Sequence, residues 1–190
     1  MDTLVSADWL HRHLHDSNLV VLDCTVLIEQ GDDGNYGPVS GKAQFERGHI
    51  PGAGFADLMG DLSDADKPFG FAVPQPEKLV AAFSALGVGD DSKVVLYDSN
   101  AAMWAARVWW MLRWIGFDRA ALLDGGLKAW TETGGALSTE PASHGTATLT
   151  LRLRPDLIAE QDEVLAAIND DSVDLVDALP ANQYRGDICM

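Results

Sequence analysis

The sequence predicts an α/β fold: a central, mostly parallel sheet with helices on both faces. Three observations carry this. First, Leu19-Val20-Val21-Leu22 and Val94-Val95-Leu96-Tyr97 are short runs, apolar on both faces, as buried parallel strands are. Second, residues 93–133 alternate strand, helix, strand, helix with short connections, the pattern of a sheet covered on both sides. Third, the segment from about Met103 to Ile115 is apolar nearly all round, with Arg107 and Arg113 its only charges. Such a helix is buried on most sides. It packs on the sheet with one face and on something else with the other.

The elements follow in order. Ser6 caps a first helix that carries Trp9, Leu10 and Leu14 on one face. The strand 19–22 ends at Asp23, followed by Cys24. Residues 30–41 read as loop by composition. A short helix near 43–47 leads into Gly48-His49-Ile50-Pro51-Gly52-Ala53, and residues 60–76 are again turn-rich. Pro76 suits the first turn of a helix that Gly87 ends. Strand 93–97, the helix 103–115 with Gly116 at its end, strand 120–123 and a helix over 126–133 complete the unit. Gly134-Gly135, Pro141 and Gly145 then punctuate a surface-running linker, with Leu149, Leu151 and Leu153 alternating as in a half-exposed extended segment.

The tail repeats the start. One offset of 154 residues relates Leu10 to Val164, Leu14 to Ile168 and Leu22-Asp23 to Val176-Asp177. A second copy of the helix–strand unit therefore begins near residue 159. Its strand, 173–177, has no partners in its own copy. An unpaired apolar edge predicts disorder or association with another chain over 160–190.

Bulk properties exclude some functions. The 190 residues carry a formal charge of −16, against a nucleic-acid partner or an anionic membrane surface, both of which need a basic face. Apolar residues make up 47%, enough for a sizeable core. The first residues, Met-Asp-Thr-Leu-Val-Ser, have no basic stretch and no long apolar run, so no signal peptide is expected, and no stretch approaches a membrane span. Cys24 and Cys189 form neither a disulfide framework nor a metal motif, so a reducing cytoplasm is the expected compartment. His11, His13 and His15 read as an exposed polar face rather than a metal site. No metal or other cofactor is expected. Trp109, Trp110 and Trp114 read as packing residues, and Gly125-Gly126 as a turn rather than a phosphate loop.

In α/β sheets, ligands sit beyond the carboxyl ends of the strands. The loop Asp98, Ser99, Asn100, Ala101, Ala102, Met103 is therefore where a nucleophile belongs, and its first residue is an acid. Taken with Gly48-His49-Ile50-Pro51-Gly52-Ala53, Arg107-Val108-Trp109-Trp110 and Leu123-Asp124-Gly125-Gly126, this chain resembles the tandem rhodanese-like sulfurtransferases along essentially its whole length.

The resemblance implies a rhodanese-like domain over 1–135, a linker over 136–158, and at 159–190 the first helix and strand of a second such domain. It implies that the first domain is catalytically silent. The second would carry a cysteine that takes sulfane sulfur from thiosulfate or 3-mercaptopyruvate and passes it, as a persulfide, to cyanide or a thiol. Asp98 stands where that cysteine would stand. It can take the same backbone hydrogen bonds as a thiolate but cannot carry sulfur, so no catalytic residue is assigned here. His49 takes a structural hydrogen-bonding role near the interdomain face, with a catalytic relay as the alternative, and Arg107 reads as structural, with an ion pair or an anion site across the interface as the alternative. The family's arginines at the start of the second domain read Leu179 and Gln183 here, with Arg185 nearby; this bears on which anionic donor is used. The expected partners are a small anionic sulfur donor, a thiol or cyanide acceptor, and the missing second domain or another chain in its place. The alternative is a non-catalytic rhodanese-like binding or regulatory module. A rhodanese-like phosphatase would also need a loop cysteine.

Overall fold

The computed structural model describes residues 1–32, 34–140 and 144–188, which fall into two compact units, Met1–Arg154 and Pro155–Met190. The first unit opens with β1 (Leu4–Val5) and α1 (Ala7–His13), whose start is fixed by the Trp9 N–H donating to Ser6 Oγ at 3.1 Å. Next come β2 (Leu19–Asp23), buried along its whole length, and a hairpin of β3 (Val26–Gln30) and β4 (Tyr36–Ser40). α2 (Lys42–Arg47) and β5 (Gly54–Phe55) follow, then a turn-rich stretch and α3 (Pro76–Ala85), with proline in its first turn as expected. β6 (Lys93–Tyr97), α4 (Met103–Trp114), β7 (Ala120–Leu123) and α5 (Gly126–Glu132) complete it.

The main sheet has the order β1-β7-β6-β2-β5, with every pairing parallel. Side chains alternate across a strand. Residues of one parity, Leu19, Val21, Val95, Tyr97, Ala121 and Leu123, form a core with Leu10 of α1 and Trp130 of α5. The alternate residues Val20, Leu22, Val94 and Leu96, equally buried, serve the opposite face, and α4 packs along β6 and β7. Burying a residue such as Leu10 completely stabilises the fold by about 1.5–3 kcal/mol. The α/β architecture is thus the one the sequence predicts.

Two expectations are corrected, the loop over 30–41 and the strand over 173–177. The stretch read as loop over 30–41 is half strand: β3 and β4 pair antiparallel from Val26↔Ser40 to Gln30↔Tyr36. Gly, Pro and Asn dominate its composition, yet Pro38 is tolerated because a two-stranded ribbon has a free edge. The first compact unit, Met1–Arg154, also takes in most of the linker expected over 136–158. Residues 144–154 are stitched to it by the Ala147 N–H donating to Ser84 O, Arg152 N–H to Ile115 O and Arg154 N–H to Trp114 O. Asp90 grips the same segment through the Thr150 N–H (2.9 Å) and hydroxyl (2.6 Å), and Arg154 pairs with Asp118 through two hydrogen bonds.

In the second unit the expected helix forms as α6 (Gln161–Ala167), closed by a reciprocal capping box between Glu160 and Glu163. A short α7 (Ala181–Tyr184) follows. The expected strand over 173–177 does not form. A parallel strand needs neighbours for its N–H and C=O groups, and no other strand is described within this unit. Its would-be core residues Val173, Leu175 and Val176 are exposed.

Candidate functional site

The carboxyl ends of β2 and β6 bring together Asp23, Cys24, Tyr97 and the loop that starts at Asp98. The Cys24 N–H donates to the Tyr97 carbonyl at 2.8 Å, locking the two strand ends. Asp98 is 1% exposed. Its Oδ1 accepts the N–H groups of Asn100 (2.9 Å) and Ala102 (3.1 Å), and its Oδ2 those of Trp104 and Ala105 (both 3.0 Å). Two of these donors belong to the loop and two to the first turn of α4, where N–H groups lack partners within the helix. The helix N-terminus favours negative charge there. Ala102, at the α4 N-cap, is left-handed (φ 62°), which turns the loop back over the carboxylate.

The loop is held from outside as well. The Ser99 N–H donates to Thr25 Oγ1 (3.1 Å), and Asn100 Nδ2 donates to the Val26 carbonyl (2.9 Å). The Leu127 N–H of α5 donates to the Asp98 carbonyl (3.1 Å). The expected turn at Gly125-Gly126, with φ of 75° and 57°, makes that approach possible. Ala101 and Met103 are exposed at the loop's outer surface. The arrangement is an anion cradle of convergent N–H groups already occupied by the chain's own carboxylate.

Beside it, Cys24 is fully buried, with Sγ 3.8 Å from the Leu22 carbonyl it donates to. Burial, with Asp23 and Asp98 adding charge repulsion, pushes its thiol well above the usual cysteine range. The thiol stays protonated and non-nucleophilic. Cys189 lies outside the described residues. Asp23 is also raised, mainly by burial, although its Oδ1 accepts the Thr25 N–H (2.9 Å) and the Tyr97 hydroxyl favours its charged form. The Tyr97 hydroxyl also accepts the Ile50 N–H (3.2 Å), joining this cluster to the His49 loop, and burial raises its own pKa. Sequence reasoning missed this Asp23–Tyr97–Ile50 link; an acid at the end of an apolar strand was its one visible signal.

The sign of the Asp23 shift makes a prediction. A carboxyl whose pKa is higher in the folded than in the unfolded state binds its proton more tightly when folded. Its contribution to stability is complete below the unfolded value near 3.8 and is lost as pH rises through the folded value. The stability of the wild type minus that of Asp23→Asn should therefore fall as pH rises from about 4, read from urea denaturation at stepped pH. A difference that grows with pH overturns the assignment. Asp90, lowered chiefly by Thr150, and Asp118, lowered chiefly by Arg154, act in the opposite sense and lose their contribution on the acid side.

His49 is buried and stacked on Phe45 (3.9 Å between centroids). Its Nδ1 lies 2.8 Å from the Phe45 carbonyl oxygen and its Nε2 2.9 Å from that of Glu140. The ring pins the end of α2 to the stretch after α5, where His49 and Ser138 exchange backbone hydrogen bonds. Arg107 lies on α4, and its Nη2 donates to the Phe71 carbonyl. Trp109 Nε1 donates to the Ala120 carbonyl (3.1 Å), Arg113 covers the Trp109 ring, and Trp110 stacks with Trp114. Gln183 and Arg185 belong to the second unit, where Arg185 pairs with Asp187 at 2.9 Å. Leu179, also there, is exposed.

His11 stacks on Trp130 (4.0 Å) and His13 on Trp9 (4.0 Å). Among the described residues, no group of three or more His, Cys, Asp or Glu side chains converges to hold a metal ion. None of their helices is long and apolar enough to cross a membrane.

Comparison with known proteins agrees with this fold. Residues 6–133 match the family model described as a rhodanese-like domain. The chain is 35% identical over 190 residues to a probable 3-mercaptopyruvate sulfurtransferase of Pseudomonas aeruginosa, covering 97% of this chain and 64% of the relative. It is 29% identical over 184 residues to the 3-mercaptopyruvate sulfurtransferase of Escherichia coli K12, covering 97% of this chain and 63% of that protein. The crystal structure of SseA from Escherichia coli, a 3-mercaptopyruvate sulfotransferase, superposes with a TM-score of 0.86 at 29% identity, over 99% of this chain and 70% of that one. The chain thus spans a little under two thirds of the length of these curated relatives. With the α/β sheet, the cradle at the end of β6 and these matches in agreement, the chain belongs to the rhodanese-like domain family.

Proposed function

We propose that this chain is the silent rhodanese-like half of a thiosulfate or 3-mercaptopyruvate sulfurtransferase. In that reading a cysteine outside this chain, in a second rhodanese-like domain, carries the sulfur. Its thiolate attacks the outer sulfur of thiosulfate, breaking the S–S bond so that sulfite leaves with the electron pair, or the thiol sulfur of 3-mercaptopyruvate, breaking the C–S bond so that the pyruvate enolate leaves and takes up a proton. Cyanide or a thiol then takes the outer sulfur of the persulfide and returns the thiolate, so that one difficult transfer becomes two displacements.

The observation that carries the proposal is the occupancy of the cradle. Four backbone N–H groups that would stabilise a thiolate at the head of α4 are used by the Asp98 carboxylate. A carboxylate satisfies those donors and cannot hold a sulfane sulfur. The Cys24 thiol, buried and protonated, offers no substitute. The 154-residue offset between the two helix–strand patterns and the greater length of the relatives support a second domain.

The purified chain should form no thiocyanate from thiosulfate and cyanide, and no pyruvate from 3-mercaptopyruvate with a thiol acceptor. Turnover at an enzymatic rate in either assay sinks the proposal. The reading frame beyond Met190 supplies an independent check. A second Gly-His-Ile-Pro-Gly-Ala with a cysteine-containing loop supports the two-domain enzyme, whereas an immediate stop codon favours the binding-module alternative.

A further inference from the structure

α4 carries three buried side-chain donors that the fold leaves unmet, Trp114 Nε1 at its far end and two in the first turns beside the cradle. Trp104 Nε1 and Arg107 Nε are both buried and without a hydrogen-bond partner. They stand three residues apart, hence on the same side of the helix. Arg107 takes part in none of the ion pairs formed by the described residues. A guanidinium is charged at any ordinary pH. Among the described residues Arg107 is thus a half-buried cation without an ion-pair partner, its guanidinium 5.8 Å from the centroid of the Trp110 ring, in a chain where acids outnumber bases by more than two to one. A ring face compensates such a charge less fully than an anion does.

The cover over these donors is Phe71. Its ring lies 4.9 Å from that of Trp104, and its carbonyl accepts from Arg107 Nη2. Phe71 is held at φ 59°, a left-handed conformation that an aromatic residue adopts only under constraint. The loop has room to move: a cavity of about 330 Å³ lies against it, lined by Met59, Ser63, Lys67, Phe69 and Phe71 among others. The Nε/Nη2 edge of a guanidinium presents two parallel N–H groups that match two oxygens of a carboxylate or a tetrahedral oxyanion. Here a single carbonyl oxygen meets Nη2, and Nε has none.

We propose that Arg107 and Trp104 form a binding site for a small oxyanion, lidded by Phe71. The anion takes the Arg107 Nε/Nη2 edge and the Trp104 indole N–H, and displaces the Phe71 carbonyl. The lid residue then leaves its left-handed conformation. The site is on this chain and does not depend on the proposed sulfur transfer. The chain's negative field opposes anion approach, but salt screens that field beyond about 8 Å at physiological ionic strength.

The test uses the full chain labelled with nitrogen-15 and follows its six tryptophan indole N–H resonances and the arginine Nε–H resonances. Sodium chloride is replaced stepwise by sodium acetate or sodium sulfate at constant ionic strength. The Trp104 signal, assigned through Trp104→Phe, and that of Arg107 should shift and saturate, while the other indoles stay still. The better-saturating anion assigns the ligand as carboxylate or tetrahedral. Arg107→Gln should abolish saturation. Phe71→Ala, which removes the ring cover but keeps the left-handed strain, should raise the open fraction and lower the half-saturating concentration by roughly threefold or more. Non-saturating shifts with both anions, equal shifts across all indoles, or an Arg107→Gln protein that still saturates overturns the site. If Arg107→Gln does not fold, the Phe71→Ala titration decides, and an unchanged or higher half-saturation overturns it.

Discussion

Replacing Asp98 with alanine should cost about 3–5 kcal/mol of stability, a large share of the roughly 5–15 kcal/mol that holds a domain together. The magnitude follows from the site. Alanine removes an acceptor for four backbone N–H groups in a place 1% exposed, where water cannot replace it without opening the loop. A buried donor left unmet costs about 1–3 kcal/mol, and the donors share one environment, so the losses do not simply add. An ordinary exposed helix cap is worth about 1 kcal/mol. Urea denaturation separates the two readings: the midpoint should drop several-fold more than for a cap, with the slope unchanged. A loss near 1 kcal/mol would mean that Asp98 only caps α4. Asp98→Asn sharpens the test. It keeps one acceptor oxygen but turns an NH₂ group toward N–H donors, so it should recover only part of the loss although its shape is nearly the same.

The sequence disclosed those features that depend on local pattern. β2 and β6 are legible because strands buried on both faces must be continuously apolar. α4 is legible because nearly every position in it is apolar. The position of the candidate site was read from the strand–loop–helix order alone. What stayed hidden depends on distant partners. β1 and β5 are two residues each and exist only as parallel neighbours of β7 and β2. The hairpin of β3 and β4 is disguised by turn-forming residues inside its strands. The left-handed residues Ala102 and Phe71 carry no glycine to announce them. The segment 173–177 shows the converse. Its apolar pattern copies that of β2, yet the pattern alone makes no strand without a sheet to join. Asp98 was legible as an acid in a nucleophile's place; the four N–H groups that make it a filled cradle were visible only once the backbone was in place.

Gly126→Ala tests the other wall of the cradle and should cost about 3–5 kcal/mol. Gly126 has φ +57°, and a Cβ built there would lie 2.5 Å from the Asp98 carbonyl oxygen. That oxygen belongs to the backbone and accepts the Leu127 N–H, so it cannot swing aside as a flexible side chain would. α5 would have to withdraw from the loop or the loop from α5, and either motion loosens the Asp98 hydrogen bonds. Gly134 is the control. Its φ is +84°, but a Cβ there would meet nothing within 4 Å, so Gly134→Ala bears only the left-handed strain of about 1–2 kcal/mol. The difference between the two variants isolates the steric contact from the backbone term. Hydrogen exchange locates its effect: the Ala102, Trp104 and Ala105 amides should exchange faster in Gly126→Ala and at the wild-type rate in Gly134→Ala. Equal stability losses, or unchanged exchange at those three amides, would mean that α5 and the loop are held independently and that the cradle owes its shape to α4 alone.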